Sequence, residues 1–320
     1  SAIVLPVAPD KPVQVVFHRR KDILSAIFGD YGMRLIDNEW HGYYGGVQLA
    51  RDTVDGHYYF KDGHITLFDV GLSDGAVRTV ASPAVGEQDR DWLLAPDGTL
   101  AATFTIDTRN GQWEIRNSGN KLLASGQNPQ GRAGLVALGR NGDTVIFSRA
   151  DPDDNEVDWF EVPLSGNGET KPVLDGIAVD EFRTDELTGK ITAYRSGDAW
   201  TFFDPAHQKI AEAVKAAFRG RTMELEDWTP DLSRVLVHTS GNDDSGTWFL
   251  VDIPKSAAKD IGVERPAIRP GNIGPISLVE YTASDGLEMD GILTLPPGRE
   301  ARNLPVIMLP HGGPSGHDEV

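Results

Sequence analysis

The residues with the most chemical content stand near the end of the chain, where the apolar run Pro305-Val306-Ile307-Met308-Leu309-Pro310 leads into His311-Gly312-Gly313-Pro314. Glycines after a strand let backbone N–H groups aim at one point with no Cβ in the way, and an oxyanion growing on an attacked carbonyl needs such donors. Gly312 and Gly313, between His311 and Pro314, are the glycines of such a turn. A donor turn needs a nucleophile beside it, and Gly71-Leu72-Ser73-Asp74-Gly75 literally matches G-x-S-x-G. That stretch follows Phe68-Asp69-Val70 and enters the β-type run 76–80, with no helix to form the strand-to-helix elbow that exposes a nucleophilic serine. It reads as a turn, and His64 nearby as a surface residue.

Metal chemistry finds less support. Asp151, Asp153, Asp154 and Asn155 resemble a calcium loop, but Glu156 stands where that loop needs glycine and Val162 where it needs a bidentate glutamate. A solvated hairpin loop is the better reading. The acidic run 224–227 and the pair Asp243-Asp244 read as exposed turns or strand edges. No metal site and no cofactor are expected, and zero cysteines exclude thiolate ligands and a cysteine nucleophile.

These groups must be carried by a large framework. The chain has 320 residues, 39% of them hydrophobic, with 35 Gly and 20 Pro, a balance that favours many short strands and turns. No apolar run reaches the roughly 20 residues of a bilayer span, and Ser1-Ala2-Ile3-Val4-Leu5-Pro6 lacks the basic start of a secretory signal. A soluble chain is expected, with cytoplasm and periplasm both open. Thirty basic against 48 acidic residues leave a net charge of −18, whose field repels phosphate backbones and anionic bilayers. Neither nucleic acid nor membrane is an expected partner; an oligomer is left open.

A turn signal followed by a β-rich run recurs at Asp10, Asp55, Asp97, Asn141, Thr188-Gly189 and Asp231, at intervals of 45, 42, 44, 47 and 43 residues. A four-stranded propeller blade takes about 40–50 residues, and its tight hairpin favours Asp, Asn and Gly, which tolerate positive φ. Each mark is read as the hairpin joining two strands of one blade. Runs opening at Ile65, Trp113, Trp159, Trp200 and Trp248 then read as third strands, with the tryptophans packed between blades. Residues 205–218 break the pattern. Ile210, Val214, Ala217 and Phe218 fall at helical spacing, so an amphipathic helix inserted between strands of one blade is expected. The fold expected is mainly β: a propeller of about six or seven blades, complete or not, over residues 1–270. A Pro/Gly linker at 271–275 follows, and residues 276–320 hold three strands, 276–283, 289–296 and 304–310.

The string Tyr281-Thr282-Ala283-Ser284-Asp285-Gly286-Leu287-Glu288-Met289-Asp290-Gly291-Ile292-Leu293-Thr294-Leu295-Pro296, a short loop, and then Leu304 to Pro314 resembles the start of the catalytic α/β-hydrolase domain in serine peptidases of the prolyl oligopeptidase family, most closely the bacterial acylaminoacyl-peptidase-like branch. The specific part covers about forty-five residues. The resemblance implies a parent enzyme that cleaves short peptides by acyl transfer, with the propeller gating access for slim substrates, and it implies that the Gly313 N–H, or after it that of Gly312, is an oxyanion-hole donor on a turn shaped by His311 and Pro314. The family's serine, aspartate and histidine, in that chain order, would lie beyond Val320 in a downstream hydrolase domain, so none of the triad is expected here and this chain alone is expected to be inactive. Arg90, Glu181 and Arg183, near blade edges, are the candidate substrate contacts, against the plainer reading as surface charges. The rival is a non-catalytic propeller acting as a protein-interaction scaffold.

Overall fold

The computed structural model describes residues 2–6, 13–150, 156–241, 244–310 and 312–313. Contacts divide the chain into two compact units, residues 1–201 and 202–320. The first holds four antiparallel meanders in succession. Strands β1 (Asp30–Ile36), β2 (Glu39–Val47), β3 (Ile65–Gly71) and β4 (Val77–Ala81) form the first sheet, neighbours in sequence being neighbours in space. The second sheet is β5 (Gln88–Leu94), β6 (Leu100–Asp107), β7 (Gln112–Asn117) and β8 (Leu122–Gln127). The third is β9 (Ala133–Leu138), β10 (Thr144–Ala150), β11 (Val157–Pro163) and β12 (Lys171–Val173). A fourth has three strands, β13 (Glu181–Thr184), β14 (Ile191–Ser196) and β15 (Ala199–Phe202). In the second unit, helix α1 (Pro205–Ala217) precedes a sheet of β16 (Thr222–Trp228), β17 (Arg234–Gly241), β18 (Asp244–Asp252) and β19 (Ala257–Val263), and the hairpin β20 (Ile276–Thr282) and β21 (Glu288–Thr294) follows.

The turn chemistry explains why the chain reverses where it does. The marks at Asp97, Asn141, Gly189 and Asp231 each join the first and second strands of a sheet. At Asp97 the carboxylate accepts from the Thr99 N–H at 3.0 Å and the Thr99 hydroxyl at 2.6 Å, while Gly98 takes φ 78°. A Cβ on Gly98 would stand 2.0 Å from the Tyr43 hydroxyl, so glycine is required there twice over. Asp231 repeats the device with the Ser233 N–H at 3.0 Å and the Thr229 hydroxyl at 2.8 Å. Among the first-to-second strand ladders a register shift recurs, at Asp30/Met33, Leu100/Ala102, Leu135/Ala137, Arg183/Thr184 and Leu225/Asp227. Such bulges raise the local twist and bend the strand.

Two marks fare differently. Asp10 lies outside the described residues. Asp55 closes no blade-type hairpin: it sits between the two-residue strands Ala50–Arg51 and Tyr58–Tyr59, a small excursion between β2 and β3. The first sheet turns instead at Asp37-Asn38, both at positive φ (50° and 65°) between the paired Ile36 and Glu39, as a two-residue type I′ loop requires. Asp55 has the right residue type and the right spacing, but the excursion displaced the repeat.

The core follows strand alternation. On β17, Val235 and Val237 are buried while Arg234 and Leu236 are not. Across the second and third sheets Phe104, Trp113, Ile115, Val145, Phe147 and Val162 form one cluster, Trp113 lying 6.1 Å from Phe104 and 5.7 Å from Phe147. Burying each such side chain is worth about 1.5–3 kcal/mol. Trp113 and Trp159, the latter 4.6 Å from Phe182 of the fourth sheet, pack between sheets as expected. Trp248 and Trp200 lie against His238 and Arg195 of their own sheets, at 4.7 and 5.9 Å.

Helix α1 forms where its spacing placed it. Asp204 caps it, accepting from the Ala206 N–H at 2.7 Å, with Pro205 in the first turn. Val214 packs with Val235, Val237 and Val251, flanked by Ile210 and Phe218. The helix is not inserted within a blade, however: in sequence it takes the place of a fourth strand after β15 and precedes a complete sheet.

The C-terminal expectations divide as well. The hairpin β20–β21 is in register from Ile276↔Thr294 to Thr282↔Glu288, and its turn is held by Asp285, which accepts the Leu287 N–H. Residues 304–310 form no strand: they join no sheet among the described residues, and Val306 to Leu309 are 81–84% exposed. An apolar, β-branched run states a capacity for pairing, but a strand exists only where a partner ladder satisfies it.

Candidate functional site

The expected oxyanion turn is described at Gly312 and Gly313 only; His311 and Pro314 lie outside the described residues. Gly313 takes φ 75°, a conformation glycine adopts at no steric cost, and a side chain at either glycine would meet open space. The G-x-S-x-G look-alike is a turn between β3 and β4. Gly71 N–H donates to the Ala76 carbonyl at 2.8 Å, Gly75 N–H to the Gly71 carbonyl at 2.8 Å, and Asp74 accepts from the Ala76 N–H at 2.9 Å. One feature near it was not legible: Nδ1 of His41 lies 2.7 Å from Asp69 Oδ1, and Arg78 donates to the other oxygen of Asp69. Asp69 is buried and His41 nearly so, facing Gly71 across the β2–β3 ladder.

Arg90 and Glu181 are engaged separately. The Arg90 guanidinium donates to the carbonyls of Ser82 and Pro83 at 3.1 and 3.2 Å, and its Nε is buried with no hydrogen-bond partner. Glu181 pairs with Arg195 at 3.1 Å, and Arg183, two positions along the same strand, is likewise engaged.

The first strands of the four sheets in the first unit instead line a cavity of about 580 Å³ that sequence reading did not find. Asp30, Tyr31 and Arg34 come from β1, Asp91 and Trp92 from β5, Leu135 from β9, and Thr184, Asp185 and Glu186 from the end of β13 and its turn. A buried carboxyl in mid-strand leaves no local mark, since the alternation around Arg90-Asp91-Trp92 is the same whether Asp91 faces solvent or a cavity. Burial pushes the Asp91 carboxyl above its ordinary range, against hydrogen bonds from Tyr31 and the Trp92 N–H. Burial, reinforced by Asp91, likewise holds the Tyr31 phenol well above its ordinary value. Arg34 is 2% exposed and spends its donors on the carbonyls of Met33, Leu94, Ala95 and Glu186. Asp30, Asp91, Asp185 and Glu186 against one arginine already committed to backbone give the lining an acidic balance, which suits a cationic or hydrogen-bond-donating group better than an anion.

The acidic stretches need one correction. Asp244 is no exposed turn: it is 7% exposed at the start of β18, accepting from the Thr247 hydroxyl at 2.6 Å, the Gly246 N–H at 3.1 Å, Arg221 at 3.3 Å and the Thr239 hydroxyl. Burial alone would raise its carboxyl, yet these donors outweigh burial and hold it below the usual range. Residues 151–155, the calcium-loop look-alike, lie outside the described residues.

No protein-family model matches the chain, and no curated protein does. Peptidases are among its structural neighbours. They include a prolyl endopeptidase (12% identity, TM-score 0.41, 82% of this chain against 39% of that one) and oligopeptidase B from Trypanosoma brucei with covalently bound antipain (10%, 0.43, 85% against 46%). Porphyromonas gingivalis dipeptidyl peptidase 4 is another (11%, 0.39, 84% against 42%). The chain spans less than half the length of each.

Proposed function

We propose that this chain is the propeller and the first hydrolase strands, divided near residues 271–275, of a serine peptidase of the prolyl oligopeptidase family acting on short peptides. The observation that carries the reading is the string from Tyr281 to Pro314, in which a Tyr-x-x-x-Asp-Gly hairpin precedes an apolar run and an HGGP turn. The run of meander sheets ahead of it is what a gating propeller requires. In this reading the Gly313 N–H, with Gly312 as the lesser candidate, donates to the oxyanion of the tetrahedral intermediate, and a nucleophilic serine, its histidine base and the orienting acid come from the remainder of the hydrolase domain. The propeller screens out folded substrates, and the acidic cavity along its first strands favours a peptide bearing a positive charge.

The test uses a polypeptide that joins this chain to a complete hydrolase domain. Hydrolysis of acyl-aminoacyl or dipeptidyl chromogenic substrates, abolished by a serine-directed phosphonate, is expected. Gly313→Val should lower kcat by roughly 10²–10³ with KM little changed, the usual effect of losing one oxyanion donor. A joined protein inert to both substrates and to phosphonate would end the proposal.

A further inference from the structure

We propose that Glu224, Glu226 and His238 form a binding site for a divalent cation of the zinc class, outside the residues the peptidase reading uses. The β16–β17 ladder sets Glu224 opposite His238, and the β17–β18 ladder sets His238 opposite Trp248, so the three share one face of the sheet in a single row. Glu226 joins them because of the bulge. Leu225 pairs with Val237 and Asp227 with Leu236, which leaves Glu226 as the extra residue, and re-aiming a side chain is a known use of bulges. The outcome is that one carboxylate oxygen from each glutamate and one ring nitrogen of His238 all lie within 4.8 Å of one another. Ligands about 2.0–2.2 Å from a tetrahedral zinc stand roughly 3.4 Å apart, so small side-chain rotations close the site.

His238 supplies an independent reason to expect a ligand. Its side chain is 16% exposed, and the buried Nε2, though close to the Glu264 carboxylate, makes no hydrogen bond of good geometry, an arrangement native proteins rarely leave unmet. The ring is held in place by Trp248, 4.7 Å away between centroids. Glu264 brings a third carboxylate, its Oε1 3.3 Å from that same Nε2. Gly246 leaves it room, since a Cβ there would meet the Glu264 carboxylate at 2.6 Å. One imidazole with two or three carboxylates suits zinc; calcium and magnesium prefer shells made of oxygen alone. A bound ion would tie the first two strands of this sheet to the residue that follows its last.

Calorimetric titration of the chelator-treated 320-residue chain with zinc chloride decides the matter. One saturable site is expected, weakened at least tenfold in Glu226→Gln and in His238→Gln, with a thermal midpoint that rises with zinc in the parent chain and not in the variants. Should His238→Gln fail to fold, Glu224→Gln, an exposed change on an edge strand, must show the same loss. Absence of saturable binding overturns the site. So does an affinity unchanged by the glutamate variants, or calcium and magnesium binding as tightly as zinc, which would leave only an ordinary His238–Glu264 pair beside surface acids.

Discussion

Asp231 shows how much of a hairpin one side chain can hold. The Ser233 N–H, with the hydroxyls of Thr229 and Ser233, holds its carboxyl at about 2. A folded value depressed below the unfolded one near 3.9 stabilises the fold above that pH, and the contribution disappears as pH falls through about 2. Asp231→Ala is therefore expected to lower the thermal midpoint at pH 6 and to flatten the acid limb between about pH 4 and 2; an unchanged limb would show that the hydrogen bonds do not survive in solution. Asp91 has the opposite sign. Its carboxyl is raised by burial, so its charged form costs stability, and that cost grows as pH rises from the unfolded value through the folded one. Asp91→Asn keeps an acceptor for the Tyr31 hydroxyl without the charge, and should raise the midpoint at pH 7 relative to pH 4. Thermal melts at both pH values check it. Asp231 was legible from the chain because turn chemistry is local, as it was at Asp97, Asn141 and Gly189. Asp91 and Asp244 were not, because only neighbours brought in from other strands decide whether a carboxylate is buried and what satisfies it.

At the scale of elements, periodicity carried furthest where a segment's own pattern sufficed. Helix α1 begins and ends within a residue of where Ile210, Val214 and Phe218 placed it, with Asp204 as its cap. Val214→Ala should cost about 2–5 kcal/mol, read as a lower denaturant midpoint at unchanged slope, since the site is walled by β17 and β18 valines that cannot follow a missing side chain. A neutral result would mean that the helix is not packed as described. Where the pattern needed a partner it failed. The run 304–310 has every property of a buried strand except a neighbour, and Asp55 had the spacing of a blade turn but belongs to an excursion that places Asp37 sixty residues before Asp97. Repeat counting is sound for regular blades and blind to an insertion of about half a blade. The candidate oxyanion glycines were legible as a motif, while the cavity beneath the first strands was not, for the same reason: a motif is contiguous, and a cavity is assembled by four sheets.

At the scale of the whole molecule, the question is whether anything within these 320 residues can cleave a peptide bond. The structure raises a rival that the sequence did not. His41 is oriented by Asp69 at 2.7 Å, as the base of a serine triad is oriented by its acid, and Ser73 stands in a G-x-S-x-G string on the turn that follows Asp69. Three facts argue against a working triad. Asp69 also takes a hydrogen bond from Arg78, which draws its charge away from the imidazole. Ser73 is exposed in a hairpin turn, where it has no helix N-terminus to lower its pKa and no strained elbow to present it. Its hydroxyl makes no hydrogen bond among the described residues, His41 included. Acyl transfer requires nucleophile, base and oxyanion donors in one place, and donors such as those proposed at Gly312 and Gly313 act only after attack has begun. The 320-residue chain is thus expected to show no turnover of acyl-aminoacyl or dipeptidyl chromogenic substrates and no labelling by a fluorescent serine-directed phosphonate. Turnover that phosphonate abolishes, and that Ser73→Ala or His41→Ala removes, would overturn this expectation and move the proposed active site from the HGGP turn to the first sheet.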